Sequence, residues 1–325
     1  MSRGRIQLRI LITGATGFAG QHLVSLLRQQ SPEDELHGTR FTPQDPNRVE
    51  GLHIHTLDLR NPAAVHELIG VAKPDQIYHL AAQAQVRQSF DDPWFTLETN
   101  IRSELNLIQA CLSHRISPRI MIVSTGELYA SAITQEHPAD ENTSPNPSSP
   151  YAVSKLAQEL LALQYFTTHN LPIIIVRPFN QLGPGQREGF VAVDFAMQIA
   201  RIEAGQQKPQ MKVGNLDARR DFTDVRDVAR AKQLLMQAGA SGEIYNIASG
   251  QTHQIREILN HMLAQSYVPI EVLPDPERMR PANVPLLWGD SRKLRQRTGW
   301  EPGISLQKSL SDILADCRVR VRSIS

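Results

Sequence analysis

Leu8-Arg9-Ile10-Leu11-Ile12-Thr13-Gly14-Ala15-Thr16-Gly17-Phe18-Ala19-Gly20 carries a complete structural sentence. The run Leu8 to Thr13 is short and apolar, as a strand buried on both faces requires. Glycines at 14, 17 and 20 follow, and then Leu23, Leu26 and Leu27 recur at helical spacing. Strand, glycine turn and helix in that order turn a glycine pattern into a phosphate cradle. The first glycine permits the tight turn, the second lets backbone approach a pyrophosphate, and the third lets helix pack on strand. The helix N-terminus favours the anion. The spacing Gly14-x-x-Gly17-x-x-Gly20 differs from the commoner Gly-x-Gly-x-x-Gly, so the reading as a dinucleotide site rests on position after the first strand.

Working outward, further strands are expected at Leu36 to Phe41, His53 to Leu57, Ile77 to Leu80, Arg119 to Val123, Pro172 to Val176 and Gly242 to Ala248. Helical patterns separate them at Pro62 to Val71, Thr99 to Leu112, Ala152 to Tyr165 and Val225 to Gln237. This alternation predicts an α/β fold, a Rossmann-type doubly wound parallel sheet with helices on both faces. After Arg177-Pro178-Phe179-Asn180 the texture changes. A turn cluster at Gly183-Pro184-Gly185-Gln186 precedes helices at Phe190 to Glu203, Gln254 to Ser266 and Ser305 to Val319. The expected organisation is interleaved. Residues 1–178 with 222–248 form the dinucleotide-binding domain, and 179–221 with 249–325 a smaller C-terminal α/β substrate domain.

The 325 residues are 41% hydrophobic and 21% charged, with a net charge of +1. That balance gives no reason to expect nucleic acid or an anionic membrane as partner. Cys111 and Cys317 lack metal-site spacing, and a reduced, cytoplasmic setting is the simplest reading. No His-Glu-x-x-His or Cys-x-x-Cys occurs, and His53 and His55, alternating on one strand, are expected to pack rather than to hold a metal. The basic end Arg318-Val319-Arg320-Val321-Arg322 reads as a solvated tail.

A second stretch carries chemistry. In Ser149-Pro150-Tyr151-Ala152-Val153-Ser154-Lys155, Ser149 suits a helix N-cap and Pro150 the first helical position. Tyr151 and Lys155, at i and i+4, then share a face. The helix N-terminus and the ammonium are both expected to lower the phenol pKa and ready it for proton exchange. At the end of the second strand an acid would bind the ribose 2′-hydroxyl of NAD, but the chain has Thr39-Arg40 and no acid before Asp45. A guanidinium suits a 2′-phosphate, so NADP(H) is preferred over NAD(H), with NAD(H) and a merely solvated Arg40 still open.

Taken together, the ordered motifs Thr13 to Gly20, Asp58-Leu59, His79-Leu80-Ala81-Ala82, Ser124-Thr125, Tyr151 to Lys155 and Arg177 to Asn180 resemble those of the extended short-chain dehydrogenase/reductases. Within that family they are most similar to the NAD-dependent epimerase/dehydratase group. The second half, Val213 to Ala218 and Arg220 to Asp227, resembles its GDP-sugar branch. The resemblance implies that Gly14, Thr16, Gly17, Phe18, Ala19, Gly20, Arg40, Asp58, Leu59, Leu80, Ala81, Ala82, Tyr151, Lys155, Pro178 and Phe179 line the cofactor. It implies Tyr151 as acid/base, Lys155 on the nicotinamide ribose, Thr125 on the sugar oxygen, and Asn180, Val191, Asn215, Arg220, Arg280 and Asn283 against the nucleotide sugar. The implied enzyme is a cytoplasmic homodimer joined through Thr99 to Leu112 and Tyr151 to Thr168.

The implied reaction is NAD(P)H-dependent reduction of the C4 keto group of a nucleotide-linked 4-keto-6-deoxy sugar, GDP-4-keto-6-deoxy-D-mannose to GDP-6-deoxy-D-mannose. The dehydratases of the group resemble Thr-Asp-Glu or Thr-Ser-Glu where this chain has Thr125-Gly126-Glu127. Gly126 offers no side-chain acid, which disfavours water elimination, while Glu127 could still act as a base. A 4,6-dehydratase, a 4-epimerase and a non-enzymatic dinucleotide sensor stay open as alternatives. Asn283 stands where the GDP-sugar enzymes usually show an acid. An amide accepts at one atom and donates from the other, so a UDP- or dTDP-sugar also stays open.

Overall fold

Alternation along the first strand divides the core into two layers. In β1 (Arg9–Thr13), Ile10 and Ile12 enter one apolar cluster and Leu11 the other. The computed structural model describes residues 7–42, 51–130, 133–134, 137–276 and 284–324. Flanking β1 in parallel are β2 (Glu35–Arg40) and β4 (Gln76–His79). With β3 (His53–Thr56), β5 (Arg119–Val123), β6 (Ile173–Pro178) and β10 (Ile244–Ile247) they make a seven-stranded parallel sheet ordered β10-β6-β5-β4-β1-β2-β3. Chain order reverses between β1 and β4, so the crevice outside their carboxyl ends is where ligands bind in such sheets.

Helices α1 (Phe18–Gln30) and α7 (Val225–Ala238) cover one face, together with α9 (Arg292–Thr298), while α2 (Pro62–Ala72), α4 (Pro93–Ser113) and α5 (Pro150–His169) cover the other. Three of these start alike, with a side-chain cap and then proline. Asn61 accepts from the amides of Ala63 and Ala64, Asp92 from Phe95, and Ser149 from Ala152. Each cap satisfies N–H groups that the helix cannot, and proline has no N–H to satisfy. Asp92-Pro93 thereby starts α4 well ahead of the apolar spacing first visible at Thr99.

The smaller part is built from α6 (Val191–Glu203), α8 (Ile255–Leu263) and α10 (Leu306–Ile324) around a separate core that includes Met197, Ile258 and Leu314. Its sheet centres on β9 (Arg219–Asp224), which pairs with the short strands β7 (Asn180–Leu182), β11 (Thr252–Gln254) and β13 (Leu286–Leu287), and a separate parallel pair joins β8 (Gln210–Val213) to β12 (Glu271–Pro274). After this excursion Leu294 and Trp300 return to the layer beneath α1 and α7. The expectation of a solvated tail at 318–322 is corrected. These residues are the last turns of α10, with Val321 buried; Val319 and Arg322 stay exposed, while Arg318 and Arg320 have partners on neighbouring elements. Arg318 forks onto Glu203 with both contacts at 2.7 Å, and Arg320 donates to the Gln186 carbonyl at 2.8 Å.

Among the described residues no helix is long and apolar enough to cross a membrane. His53 and His55 both stack on His37, whose Nδ1 lies 3.0 Å from Nε2 of His55.

Candidate active site

The crevice begins at the glycine turn. Gly14 has φ of +67°, a conformation that side chains resist, and a Cβ on it would stand 3.0 Å from the Ala81 amide nitrogen. A Cβ on Gly20 would come within 2.3 Å of the Gly14 carbonyl, so α1 lies directly on the turn. Thr13 knits the turn to the end of β4. Its hydroxyl accepts from the Ala81 amide at 3.1 Å and lies 2.9 Å from His79 Nδ1. Helix α1 has no side-chain N-cap, which leaves its first amides for an anion. Phe18 meets His22 edge to face, and His22 Nε2 lies 2.9 Å from the Pro184 carbonyl. The cradle is thus tied to the loop that follows Asn180.

Toward the sheet edge, Arg40 ends β2 and donates from Nε to the Thr56 hydroxyl at 2.9 Å. Arg60 forks onto Asp58 at 3.0 and 2.7 Å and holds that carboxyl below its ordinary value. Leu59 is buried and its carbonyl accepts from Asn106 at 2.9 Å. Along the carboxyl ends of β4, β5 and β6, three buried atoms find no partner among the described residues: His79 Nε2, Ser124 Oγ and Asn180 Oδ1. Each costs about 1–3 kcal/mol if left so. Three along one crevice, beside a cradle no side chain could enter, fit a bound dinucleotide and a polar substrate.

At the centre, Tyr151 and Lys155 sit one turn apart in the first turns of α5, both buried. Lys155 Nζ donates to the Val123 carbonyl at 2.8 Å and to Gln158 Oε1 at 2.9 Å, which aims it at the end of β5. Thr125 follows that strand and caps the 3-10 turn Gly126–Tyr129, accepting from the Glu127 amide at 3.2 Å. The expected lowering of the phenol is corrected. Burial pushes Tyr151 up, the Glu127 carboxylate pushes it further, and a hydrogen bond from Thr125 offsets only part. The ammonium that was to lower it is itself brought down to about 8 by burial, against the pull of Glu104 and Glu159.

Glu159, another i+4 step along the same helix face, anchors a buried network that sequence reading passed over. Arg177 forks onto it at 2.8 and 2.6 Å and donates to the Tyr129 hydroxyl at 2.6 Å. Tyr129 in turn donates to Asn246 Oδ1 at 3.0 Å. The turn carrying Thr125 and the helix carrying Tyr151 are thereby locked together. The i+4 spacing from Lys155 was a visible signal for Glu159; its distance in sequence from Arg177 and Tyr129 hid the rest.

Gly126 is glycine for a reason visible in space. A Cβ there would lie 2.8–2.9 Å from the Phe179 ring, and one on Gly289 would lie as close as 2.3 Å. Phe179, 4% exposed, also stacks on Tyr129 at 6.0 Å, so its ring is committed to packing while Pro178 before it completes β6. Of the expected sugar-nucleotide residues, Asn180 begins β7 and pairs with Phe222 on β9, two residues from Arg220, so the two are brought to one sheet. Arg220 donates to the Arg219 carbonyl at 2.8 Å, Asn215 accepts from the Asp217 amide at 2.8 Å, and Val191 begins α6. Arg280 and Asn283 lie outside the described residues, as does Asp45.

Residues 11–313 match the family model of GDP-mannose 4,6 dehydratase. The chain is 38% identical to GDP-6-deoxy-D-mannose reductase of Pseudomonas aeruginosa over 97% of its own length and 98% of that protein's. It is 28% identical to GDP-mannose 4,6 dehydratase of Drosophila melanogaster, over 94% of this chain and 84% of the other. Among solved structures it is similar to RMD from Pseudomonas aeruginosa complexed with NADPH, with a TM-score of 0.84 and 35% identity, covering 97% and 100% of the two chains. UDP-glucose 4-epimerase from Thermus thermophilus, complexed with NAD, has a TM-score of 0.85 at 28% identity, covering 96% and 99%.

Proposed function

The chain belongs to the GDP-mannose 4,6 dehydratase family, within the extended short-chain dehydrogenase/reductases, and we propose that its own reaction is reductive: the C4 keto group of GDP-4-keto-6-deoxy-D-mannose becomes the hydroxyl of GDP-6-deoxy-D-mannose, with NADPH preferred and NADH accepted. The observation that carries the choice of reduction is the packing at Gly126. Elimination of water needs an acid for the leaving hydroxyl, and the Phe179 ring fills the space a side chain at 126 would need. The whole-length likeness to a GDP-6-deoxy-D-mannose reductase supports the same reading.

When bound, the dinucleotide supplies the hydride that the keto carbon accepts. The protein's part is positional and protic. Tyr151, held protonated by burial, donates to the alkoxide oxygen as it forms, and Thr125 steadies that oxygen by hydrogen bonding. Lys155, fixed by Val123 and Gln158, holds the nicotinamide ribose. Gly14, Thr16, Gly17 and the start of α1 take the pyrophosphate, and Arg40 the 2′-phosphate. Asn180 and Arg220, with Val191, Asn215, Arg280 and Asn283, face the nucleotide sugar. In this division residues 1–178 with 222–248 serve the cofactor, and 179–221 with 249–325 the substrate. We place the enzyme in the cytoplasm as a homodimer joined through the α4–α5 face.

The test is product identification. With NADPH and GDP-4-keto-6-deoxy-D-mannose, cofactor oxidation and a GDP-6-deoxyhexose are expected; water loss from GDP-mannose would instead make it a dehydratase. Binding of NADPH with no turnover of either would favour a sensor. Replacing Arg40 by Asp should move the kcat/KM preference from NADPH toward NADH, and an unaltered ratio would remove Arg40 from the ribose site.

A further inference from the structure

A second acid stands behind Lys155. Glu104 lies in the middle of α4, fully buried, one turn on from Asn100 and on the same helix face. Asn100 marks where that face meets α5: it donates to the Ser154 hydroxyl at 2.8 Å, and its carbonyl accepts from Gln158 at 2.9 Å. Gln158 is the residue that accepts from Lys155. Among the described residues neither carboxyl oxygen of Glu104 has a partner in hydrogen-bonding geometry, although the Gln158 amide stands close enough to favour its charged form. A carboxylate so placed is costly unless it stays neutral or faces a cation.

The groups around it are accounted for. Glu159 is taken by Arg177. His79 and Lys232 both feel the charge of Lys155 and are both pushed down by burial, Lys232 to about 7. Tyr151 faces Glu127. Among the described residues Lys155 is therefore the cation left for Glu104. Burial lifts Glu104 well above the carboxylate range, Lys155 and then the Gln158 amide pull it back, and the charge of Glu159 adds to the lift; Glu104 and Glu159 both raise Lys155 in return.

We propose that Glu104 is a positioning residue of this site: buried on the face of α4 that meets α5, its carboxylate keeps Lys155 an ammonium. Burial favours its protonated form, and the carboxylate gains as pH rises. The consequence for turnover rests on the reductase reading, in which Lys155 serves the cofactor ribose beside Tyr151; the ionisation of Glu104 does not. In Glu104→Gln the alkaline limb of the kcat profile should move to lower pH by roughly 1 unit, with KM little changed, and Glu104→Asp should restore part of the shift. A merely structural role would lower activity at every pH and leave the limb in place, and that result would overturn the proposal. Infrared difference spectra between about pH 6 and about pH 9 read the carboxyl without any substrate. A protonated-carboxyl band that vanishes on the alkaline side, and is missing from Glu104→Gln, is expected even if no sugar is turned over. Its absence from the native protein would sink the idea, including in the case where the variant does not fold.

Discussion

Tyr151 is built to hold a proton and surrender it only to a stronger base. Burial and Glu127 keep the phenol protonated through the ordinary pH range, which suits a donor to a nascent alkoxide. Tyr151→Phe should bind NADPH nearly as the native protein does while kcat falls on the order of 10²–10⁴-fold, checked by fluorescence titration beside steady-state rates. Undiminished turnover would remove Tyr151 from the reaction. Lys155 gives a pH test with two opposite signs. Its value falls from 10.5 in the unfolded chain to about 8 in the folded one. Between those values the unfolded chain holds a proton that the folded chain lacks, so this group's contribution to stability rises with pH. Activity needs the ammonium and should decline through the same window. Measured against Lys155→Met, native stability should therefore gain as pH passes 8 upward while kcat drops, and a shared fall of both would contradict the assignment.

At the scale of elements, what the sequence made legible follows from what decides each feature. Central strands such as Arg119–Val123 are apolar on both faces and announce themselves, as does a helix capped by Ser149-Pro150. The strands flanking β9 run two or three residues each, too short for any period to show. Tyr151 and Lys155 could be placed from spacing alone, but the direction of the phenol shift could not, because it depends on burial and on Glu127 across a turn. Gly126 likewise stood out as a missing side chain, and only the fold gives the cause. Phe179 is held between Gly126 and Gly289, so the 3-10 turn and β13's flank close on one ring. Gly126→Ser should then cost about 1–3 kcal/mol, because the ring must leave its place between packed neighbours. Thermal unfolding would show this as a lowered Tm, relieved in part by adding Phe179→Leu. A Gly126→Ser protein as stable as the native one would mean the ring moves freely, and the steric argument against elimination would fail with it.

On the scale of the whole molecule, one helical layer remains short of cover. On α5, Val153 and Leu160 are seven residues apart, hence on one face, and are 44% and 61% exposed. Nearby in the same layer, Phe90 in α3 (Val86–Asp91) is 52% exposed and Trp94 at the start of α4 is 73% exposed. Burying such side chains is worth about 1.5–3 kcal/mol each, a gain that a second copy packing α4 and α5 against their equivalents would realise twice by symmetry. The same helices carry Lys155, Glu104 and Glu159 on their inner sides, so association would stiffen the layer that aims the site. Leu160→Arg puts a charge at the centre of that face without touching the core. Light scattering should give twice the chain mass for the native protein and a single chain for Leu160→Arg, with the fold retained by circular dichroism. A native protein that scatters as one chain, or a variant that still pairs, would move the interface elsewhere.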